Sequence, residues 1–384
     1  MNVPSKKIIY LISEDWFFKS HFMDRAKAAK DAGFTVYILS NMENSNVFDN
    51  VEFNYINIKI RRSKANILCI LSEIFRVFIW YVRIKPDIVH HIGLKLIIIG
   101  SFVSLLVRSA TVVNAPVGMG FVFSSNSLKA RLLRPLVWLA LRFALAGRNK
   151  VTVVENADDQ RALSRHGVVG SSQIELIEGA GIDLNKFPYV ERQKTNIPIV
   201  MLASRMLNEK GVREFVSAAA YLQKSKLTAR FVLVGAPDPQ NLGTIKAQEL
   251  NNWDRQGIIE WWGHSNHMYD SLCSADIFCL PSYREGLPKV LLEASASGCA
   301  IITTDVPGCR EVVQHMRTGI LVKPRDYISV AHAIEQLVDD YPLRISLARE
   351  ARSRVEGKFS NEVIIKKTMK IYEQAVEGNR FRQT

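Results

Sequence analysis

The chain has 384 residues, 48% of them hydrophobic and 23% charged, with 21 glycines and 13 prolines. This composition excludes a mainly disordered, collagen-like or low-complexity protein, and the length points to two domains. The formal charge is +13, and residues 61–150 hold 14 Lys and Arg against only Glu73 and Asp87, a bias that asks for an anionic partner: nucleic acid, acidic lipid or a phosphorylated small molecule.

Lys7–Ile12 is a short apolar run and reads as a buried parallel strand. Glu14-Asp15 cut the run off, so the start does not read as a signal peptide. His21–Gly33 has helical spacing and ends at its glycine. Phe34–Leu39 and Val51–Ile60 read as strands, Ala65–Ile84 as a helix, and Ile88–His91, Thr111–Asn114 and Val151–Val154 as further strands. Leu96–Val107 is apolar but too short to span a bilayer. Strands alternating with helices predict a doubly wound α/β domain.

The pattern then restarts. Ile197–Ala203, Ala229–Val234, Ile258–Trp261, Ile277–Leu280, Ala300–Thr303 and Gly319–Val322 read as strands, with a helix at Lys210–Leu222. Lys186–Asn196 is polar and reads as a linker. The expected division is 1–187, 195–358, and a last helix in 359–384 that pads the second domain or crosses back to the first. Five cysteines (Cys69, Cys273, Cys279, Cys299, Cys309) form no C-x-x-C pair and no zinc-like cluster, which fits a reducing compartment.

Ligands of open α/β sheets sit beyond the carboxyl ends of the strands. Ser204-Arg205 and Lys210-Gly211 follow one such strand, and two cations five residues apart can both address a diphosphate. Taken alone they read equally as solvated surface charges. Ser282, Glu285-Gly286-Leu287-Pro288 and Glu293 follow another strand, where carboxylates can accept hydrogen bonds from sugar hydroxyls.

These motifs stand in order with others: Gly179-Ala180-Gly181-Ile182-Asp183, Val234-Gly235, Pro307-Gly308…Glu311 and Thr318-Gly319. Together they resemble the retaining family 4 glycosyltransferases. The resemblance implies the GT-B fold, an α/β arrangement of two doubly wound Rossmann-like domains facing a cleft, with the donor bound by the second. It implies that Arg205 and Lys210 neutralise the donor diphosphate, that Glu285 holds the transferred sugar, and that Glu293 binds the ribose. Ser204, Gly235 and the backbone of Gly286 and Leu287 would complete the donor site. The chain has no D-x-D, so no metal and no cofactor is expected.

The first half departs from the family pattern. Ser13-Glu14-Asp15-Trp16-Phe17 stands where a glycine-rich loop is usual, and Asp15 becomes an acceptor-side candidate. Pro86–Gly93 resembles the family's P-D-x-[IV]-H-x-H with shifted spacing, making His90 and His91 candidates for sugar contacts, with structural histidines as the other reading. Gly118, in Pro116–Phe121, is a candidate cleft-loop glycine, with a plain turn as the alternative.

Ile67–Trp80 and Ser127–Lys150 interleave basic residues with Leu, Phe and Trp, which suits an anionic membrane surface; a buried helix with a basic edge is the alternative. The expected protein is a retaining, metal-independent transferase. It moves a hexose or N-acetylhexosamine from a nucleoside-diphosphate sugar, with UDP as the expected nucleotide. The expected acceptor is a saccharide on a polyprenyl diphosphate or other lipid, at the cytoplasmic face of the membrane, in O-antigen or capsule synthesis. The alternatives are a UDP-sugar 2-epimerase of the same fold and a nucleic-acid-binding protein using the 61–150 face. No helix-turn-helix, zinc finger or aromatic RNA platform supports the latter, and no G-x-G-x-x-G supports a dehydrogenase.

Overall fold

The structure, a computed structural model, describes residues 5–41, 53–60, 67–107, 111–117, 128–241 and 243–377. The chain forms two compact units, Met1–Ala180 with Ile364–Thr384, and Gly181–Val363.

The first unit is built on a parallel sheet of β1 (Lys7–Glu14), β2 (Thr35–Asn41), β3 (Asn54–Asn57), β4 (Ile88–Ile92), β5 (Thr111–Ala115), β6 (Lys150–Val154) and β7 (Ile174–Leu176). Their spatial order is β3-β2-β1-β4-β5-β6-β7, so the chain reverses direction between β1 and β4. Alternate side chains of β1 feed two cores. Ile8, Tyr10 and Ile12 pack on one side with α1 (Asp15–His21) and α2 (Met23–Asp31), whereas Ile9 and Leu11 pack on the other with α3 (Ile67–Ile84) and α4 (Leu94–Val107). The helices α5 (Leu128–Leu145) and α6 (Ala157–Arg165) complete the layer beside β6. Asn156 caps α6 by accepting from the Asp159 N–H.

Several expectations shift. The strand from Lys7 continues to Glu14 and enters α1 directly, so the Ser13–Phe17 stretch is no loop. The helix expected over His21–Gly33 is α2, and α1 precedes it as a further short helix, the two separated at Phe22, whose ring is buried against Tyr10. The strand expected over Val51–Ile60 is only the four residues of β3.

The second unit holds β8 (Ile199–Ala203), α7 (Val212–Lys224), β9 (Arg230–Val234), α8 (Ala247–Arg255), β10 (Glu260–Gly263), α9 (Met268–Cys273) and β11 (Ile277–Leu280). It continues with α10 (Lys289–Ala296), β12 (Ala300–Thr304), α11 (Cys309–Val312), β13 (Ile320–Val322), α12 (Tyr327–Asp339) and α13 (Tyr341–Lys358). The parallel order β10-β9-β8-β11-β12-β13 reverses between β8 and β11. β11 and β12 are buried throughout, which explains the unbroken apolar sequence of β11, while β12 ends in the buried Thr303 and Thr304.

The segment 186–196, read as a linker, is pinned to the second unit. Arg192 is buried and donates to the carbonyls of Leu272, Cys273 and Ser297. The last helix, α14 (Asn361–Glu377), returns to the first unit, where Ile364, Ile371 and Tyr372 join the core beneath β1 and β4.

Candidate active site

The reversal between β8 and β11 leaves a crevice at the carboxyl ends of neighbouring strands, the usual ligand position in open α/β sheets. Four loops meet there, those after β8, β9, β11 and β12. The first leaves β8 through Ser204 and Arg205 and forms a short 3-10 turn, Asn208–Lys210. The helix expected from Lys210 therefore begins at Val212, and Lys210 belongs to the loop. Gly211 makes this possible: its φ is +72°, and a Cβ there would lie 2.1 Å from the Pro281 carbonyl oxygen.

That close approach sets Lys210 against the loop leaving β11. Its ammonium donates to both carboxylate oxygens of Glu285, at 2.6 and 2.8 Å. The Ser282 hydroxyl donates to Glu285 Oε1 at 2.7 Å. Both side chains of the ion pair are largely shielded, 20% and 11% exposed. The Pro307 carbonyl accepts from the Glu285 N–H, so the P-G turn after β12 supports the same loop. Thr304 Oγ1 donates to the Ser282 carbonyl from below.

Arg205 is held from the other side by Asp238 at 2.7 Å, in the loop after β9. A guanidinium has five N–H donors and an ammonium three, so both cations keep donors for a further anion. Gly235 starts the Asp238 loop. A Cβ on it would stand 1.8 Å from the Ser204 carbonyl oxygen, so glycine alone lets the β8 and β9 loops meet. Ser204 itself bonds to the Val234 carbonyl through its N–H and to the Arg205 carbonyl through its hydroxyl.

Glu293 lies in α10, 15% exposed, with Lys289 3.8 Å away. Burial raises its carboxyl above the ordinary range, and Lys289 partly opposes this. Gly286 precedes α10, whereas Leu287 turns its side chain into the core beside Leu291 and leaves only backbone for a ligand. The structure thus brings Ser204, Arg205, Lys210, Gly235, Glu285, Gly286 and Leu287 onto loops at one end of one sheet, with Glu293 on the helix α10 that follows the Glu285 loop. The sequence reading had no role for Asp238, which shows only as an acid in a Pro-rich loop three residues after Gly235.

The acceptor-side candidates of the first unit fare differently. His91 is buried, with Asn114 Oδ1 at 2.9 Å from Nδ1 and the Tyr81 hydroxyl at 2.9 Å from Nε2. His90 is buried with Nδ1 2.7 Å from the Tyr372 hydroxyl, and Tyr372 donates on to Tyr10. Both histidines lie inside β4, and core packing rather than ligand contact is what surrounds them here. Asp15 is also buried, and its Oδ1 accepts from the Trp16 N–H at 2.6 Å. Gly118 lies outside the described residues.

The two doubly wound units, with this loop set in the second, define the GT-B class of glycosyltransferases. The family comparisons agree: residues 197–340 match Glycosyl transferases group 1, and residues 7–155 match Glycosyl transferase 4-like. The chain belongs to this glycosyltransferase family. It is 30% identical over 275 residues, 68% of this chain and 70% of the relative, to N,N'-diacetylbacillosaminyl-diphospho-undecaprenol alpha-1,3-N-acetylgalactosaminyltransferase of Campylobacter jejuni. It is 26% identical over 297 residues, 75% of this chain and 74% of the relative, to UDP-Gal:alpha-D-GlcNAc-diphosphoundecaprenol alpha-1,3-galactosyltransferase of Escherichia coli. Among solved structures, sucrose-phosphate synthase from Thermosynechococcus elongatus has a similar fold, with a TM-score of 0.80 at 19% identity over 96% of this chain and 98% of that one. The protein is a glycosyltransferase, and neither the epimerase nor the nucleic-acid alternative is favoured by these relatives.

Proposed function

We propose that the enzyme transfers a hexose or N-acetylhexosamine from a UDP-sugar, with retention and without a metal, to a saccharide carried on a polyprenyl diphosphate at the membrane surface. The product would enter O-antigen or capsule assembly. The paired cations Arg205 and Lys210, at the carboxyl end of β8, carry this reading. Two relatives named for undecaprenol-diphosphate acceptors, one of them for a UDP-sugar donor, support the acceptor and the nucleotide.

The bond between the sugar C1 and the β-phosphate oxygen breaks, and charge builds on that oxygen. Arg205 and Lys210 stabilise it where it develops, the role a metal plays in other transferases. Asp238 and Glu285 hold the two cations in position beforehand, so little reorganisation is needed. The acceptor hydroxyl attacks C1 from the face the leaving group departs, and its proton passes to the leaving phosphate oxygen. UDP and a new glycosidic bond of unchanged anomeric configuration result. Glu285, already engaged by Lys210 and Ser282, offers its remaining lone pairs to sugar hydroxyls, and Glu293 offers its own to the ribose.

The test supplies UDP-sugars and a short-chain polyprenyl-diphosphate saccharide, with EDTA in a parallel reaction, and reads the anomeric coupling of the product by NMR. An α-linked product from an α-linked donor, formed equally with EDTA, supports the proposal. An inverted linkage, or loss of activity with EDTA that Mg²⁺ restores, overturns its mechanistic half.

A further inference from the structure

The first unit carries an apolar surface that its core does not use. Thirteen of the nineteen large apolar side chains exposed among the described residues lie on α3, α4 and α5. On α3 they are Leu68, Leu71, Phe75 and Val82, one stripe at helical spacing. On α5 they are Leu132, Leu133, Leu136, Leu139 and Phe143, and the two end members are 76% and 72% exposed. Between these helices, packed against both, runs α4. It buries Leu96, Ile97, Ile99 and Val103 and turns Ile98, Phe102, Leu105 and Leu106 outward. The three stripes form one face, broader than the scattered apolar residues of an ordinary surface.

Exposed charge on the three helices is of one sign. Arg76 and Arg83 stand exposed on α3, and Arg131 and Arg142 on α5. The single acid in the three helices, Glu73, is buried and accepts from Lys95 at 2.8 Å. The face therefore has an apolar centre along α4, arginines on its two flanking helices, and no exposed carboxylate. A second copy docked here through the same face would bring arginine against arginine with no acid to pair. A nucleic acid would meet the arginines but leave the leucines and phenylalanines in water. An anionic bilayer satisfies both: acyl chains cover the apolar centre and phosphate headgroups meet the rim.

We infer that α3, α4 and α5 form a monotopic docking face for an anionic lipid bilayer, with α4 as the keel that enters the acyl boundary. No helix among the described residues is long and apolar enough to cross a membrane, so attachment by this face is superficial. The inference deepens the lipid-linked acceptor reading and rests on it for its purpose; the surface itself is read from packing and charge.

The test is vesicle flotation of the full chain at low salt, with phosphatidylcholine vesicles alone or containing phosphatidylglycerol. The wild type is expected to float with phosphatidylglycerol. Phe102→Glu/Leu105→Glu should weaken partitioning about tenfold or more. Arg131→Gln/Arg142→Gln should cost roughly fivefold per arginine and remove the preference for anionic vesicles. Leu132→Glu/Phe143→Glu is the second keel-side probe, and unchanged UDP binding and thermal unfolding confirm that each variant is folded. Turnover of a water-soluble acceptor analogue should stay at the wild-type level in all of them.

A keel variant that floats like the wild type overturns the inference. So does a wild type that transfers sugar to the soluble acceptor but ignores anionic vesicles, or whose face proves to be a dimer contact by sedimentation. A wild type that floats but transfers nothing to a lipid-linked saccharide leaves the docking face standing and removes the acceptor reading instead.

Discussion

Lys210 and Glu285 are 75 residues apart in sequence, yet the ammonium of one sits between both carboxylate oxygens of the other, at 2.6 and 2.8 Å. The pair bridges the loops after β8 and β11, where the chain reverses direction in the second sheet. In the proposed reaction it fixes a cation where the diphosphate would leave and a carboxylate where the sugar would be held. Replacing Lys210 with Ala should lower kcat by about 10²–10³-fold, the usual loss for a group that stabilises developing negative charge. Glu285→Gln should lower kcat less and raise KM for the donor, because an amide still bonds to Ser282 and to hydroxyls. Steady-state kinetics with one UDP-sugar separates the two outcomes; equal loss in both variants would speak against distinct roles.

Glu293, proposed to bind the ribose, should make nucleotide binding depend on pH. Burial raises its carboxyl, so the acid becomes protonated at a higher pH than an ordinary glutamate. Ribose hydroxyls donate best to the ionised form. UDP affinity should therefore fall as pH is lowered, beginning above the usual carboxylate range. In Glu293→Gln affinity should be lower throughout and flat over the same interval. Titration calorimetry across that interval decides, and a wild-type affinity that does not change with pH would sink the assignment.

Gly235 is where the β8 and β9 loops of the candidate site touch. With φ at +140° and only 1.8 Å between a Cβ and the Ser204 carbonyl oxygen, Gly235→Ala cannot keep both loops in place. The expected cost is roughly 3 kcal/mol or more, combining strain with overpacking. Thermal unfolding should show it, together with loss of UDP binding. A variant with an unchanged midpoint would mean that the β8 and β9 loops separate easily.

The first unit should be acid-labile through β4. Burial pushes the His91 imidazole down to about 4, Asn114 opposes this by its hydrogen bond, and Lys150 adds to it. His90 is also held well below its ordinary value, again by burial first. The unfolded chain binds a proton near pH 6.5 that the native state refuses, so stability is full above 6.5 and is lost as pH falls towards 4. The slope is about 1.4 kcal/mol per pH unit for each histidine. His91→Asn should make the decline shallower, as read by hydrogen exchange of the β4 amides at a series of pH values. An unchanged slope would show that His91 accepts its proton in the folded state.

Gly100 on α4 belongs to the same arrangement. A Cβ there would lie 2.4 Å from His91 Nε2, so the ring occupies the space glycine leaves. Gly100→Ala should be destabilising by about 1–3 kcal/mol even though alanine favours helix, because the ring is locked by Tyr81 and Asn114. A stabilised variant would show that the His91 ring can move aside.

The second unit was the more legible half. Its ligand loops are short, follow unmistakable apolar strands and are punctuated by glycines that the backbone needs, so the spacing of Arg205, Lys210, Glu285 and Glu293 survives in one dimension. Asp238 did not show, because its role depends on β9 lying beside β8, a long-range pairing. In the first unit, β1 runs into α1 with no glycine to mark the change, so the sequence shows a loop where there is none. The three-residue β7 is too short for any periodicity. His90 and His91 looked like ligands because strand position alone does not reveal Tyr372, which arrives from the far end of the chain. The outward face of α4 was hidden for a different reason: its sequence is apolar on every side, and only packing against the sheet decides which side is left exposed.

The second unit is proposed to bind a nucleoside diphosphate through Arg205 and Lys210. Calorimetric titration of UDP into the wild type, Arg205→Ala and Lys210→Ala decides whether it does. Saturable binding to the wild type, weakened roughly 10- to 100-fold in each variant, is the predicted result, since each loses a charged hydrogen bond to phosphate. Equal affinity in all three proteins, or no binding to the wild type, would contradict it.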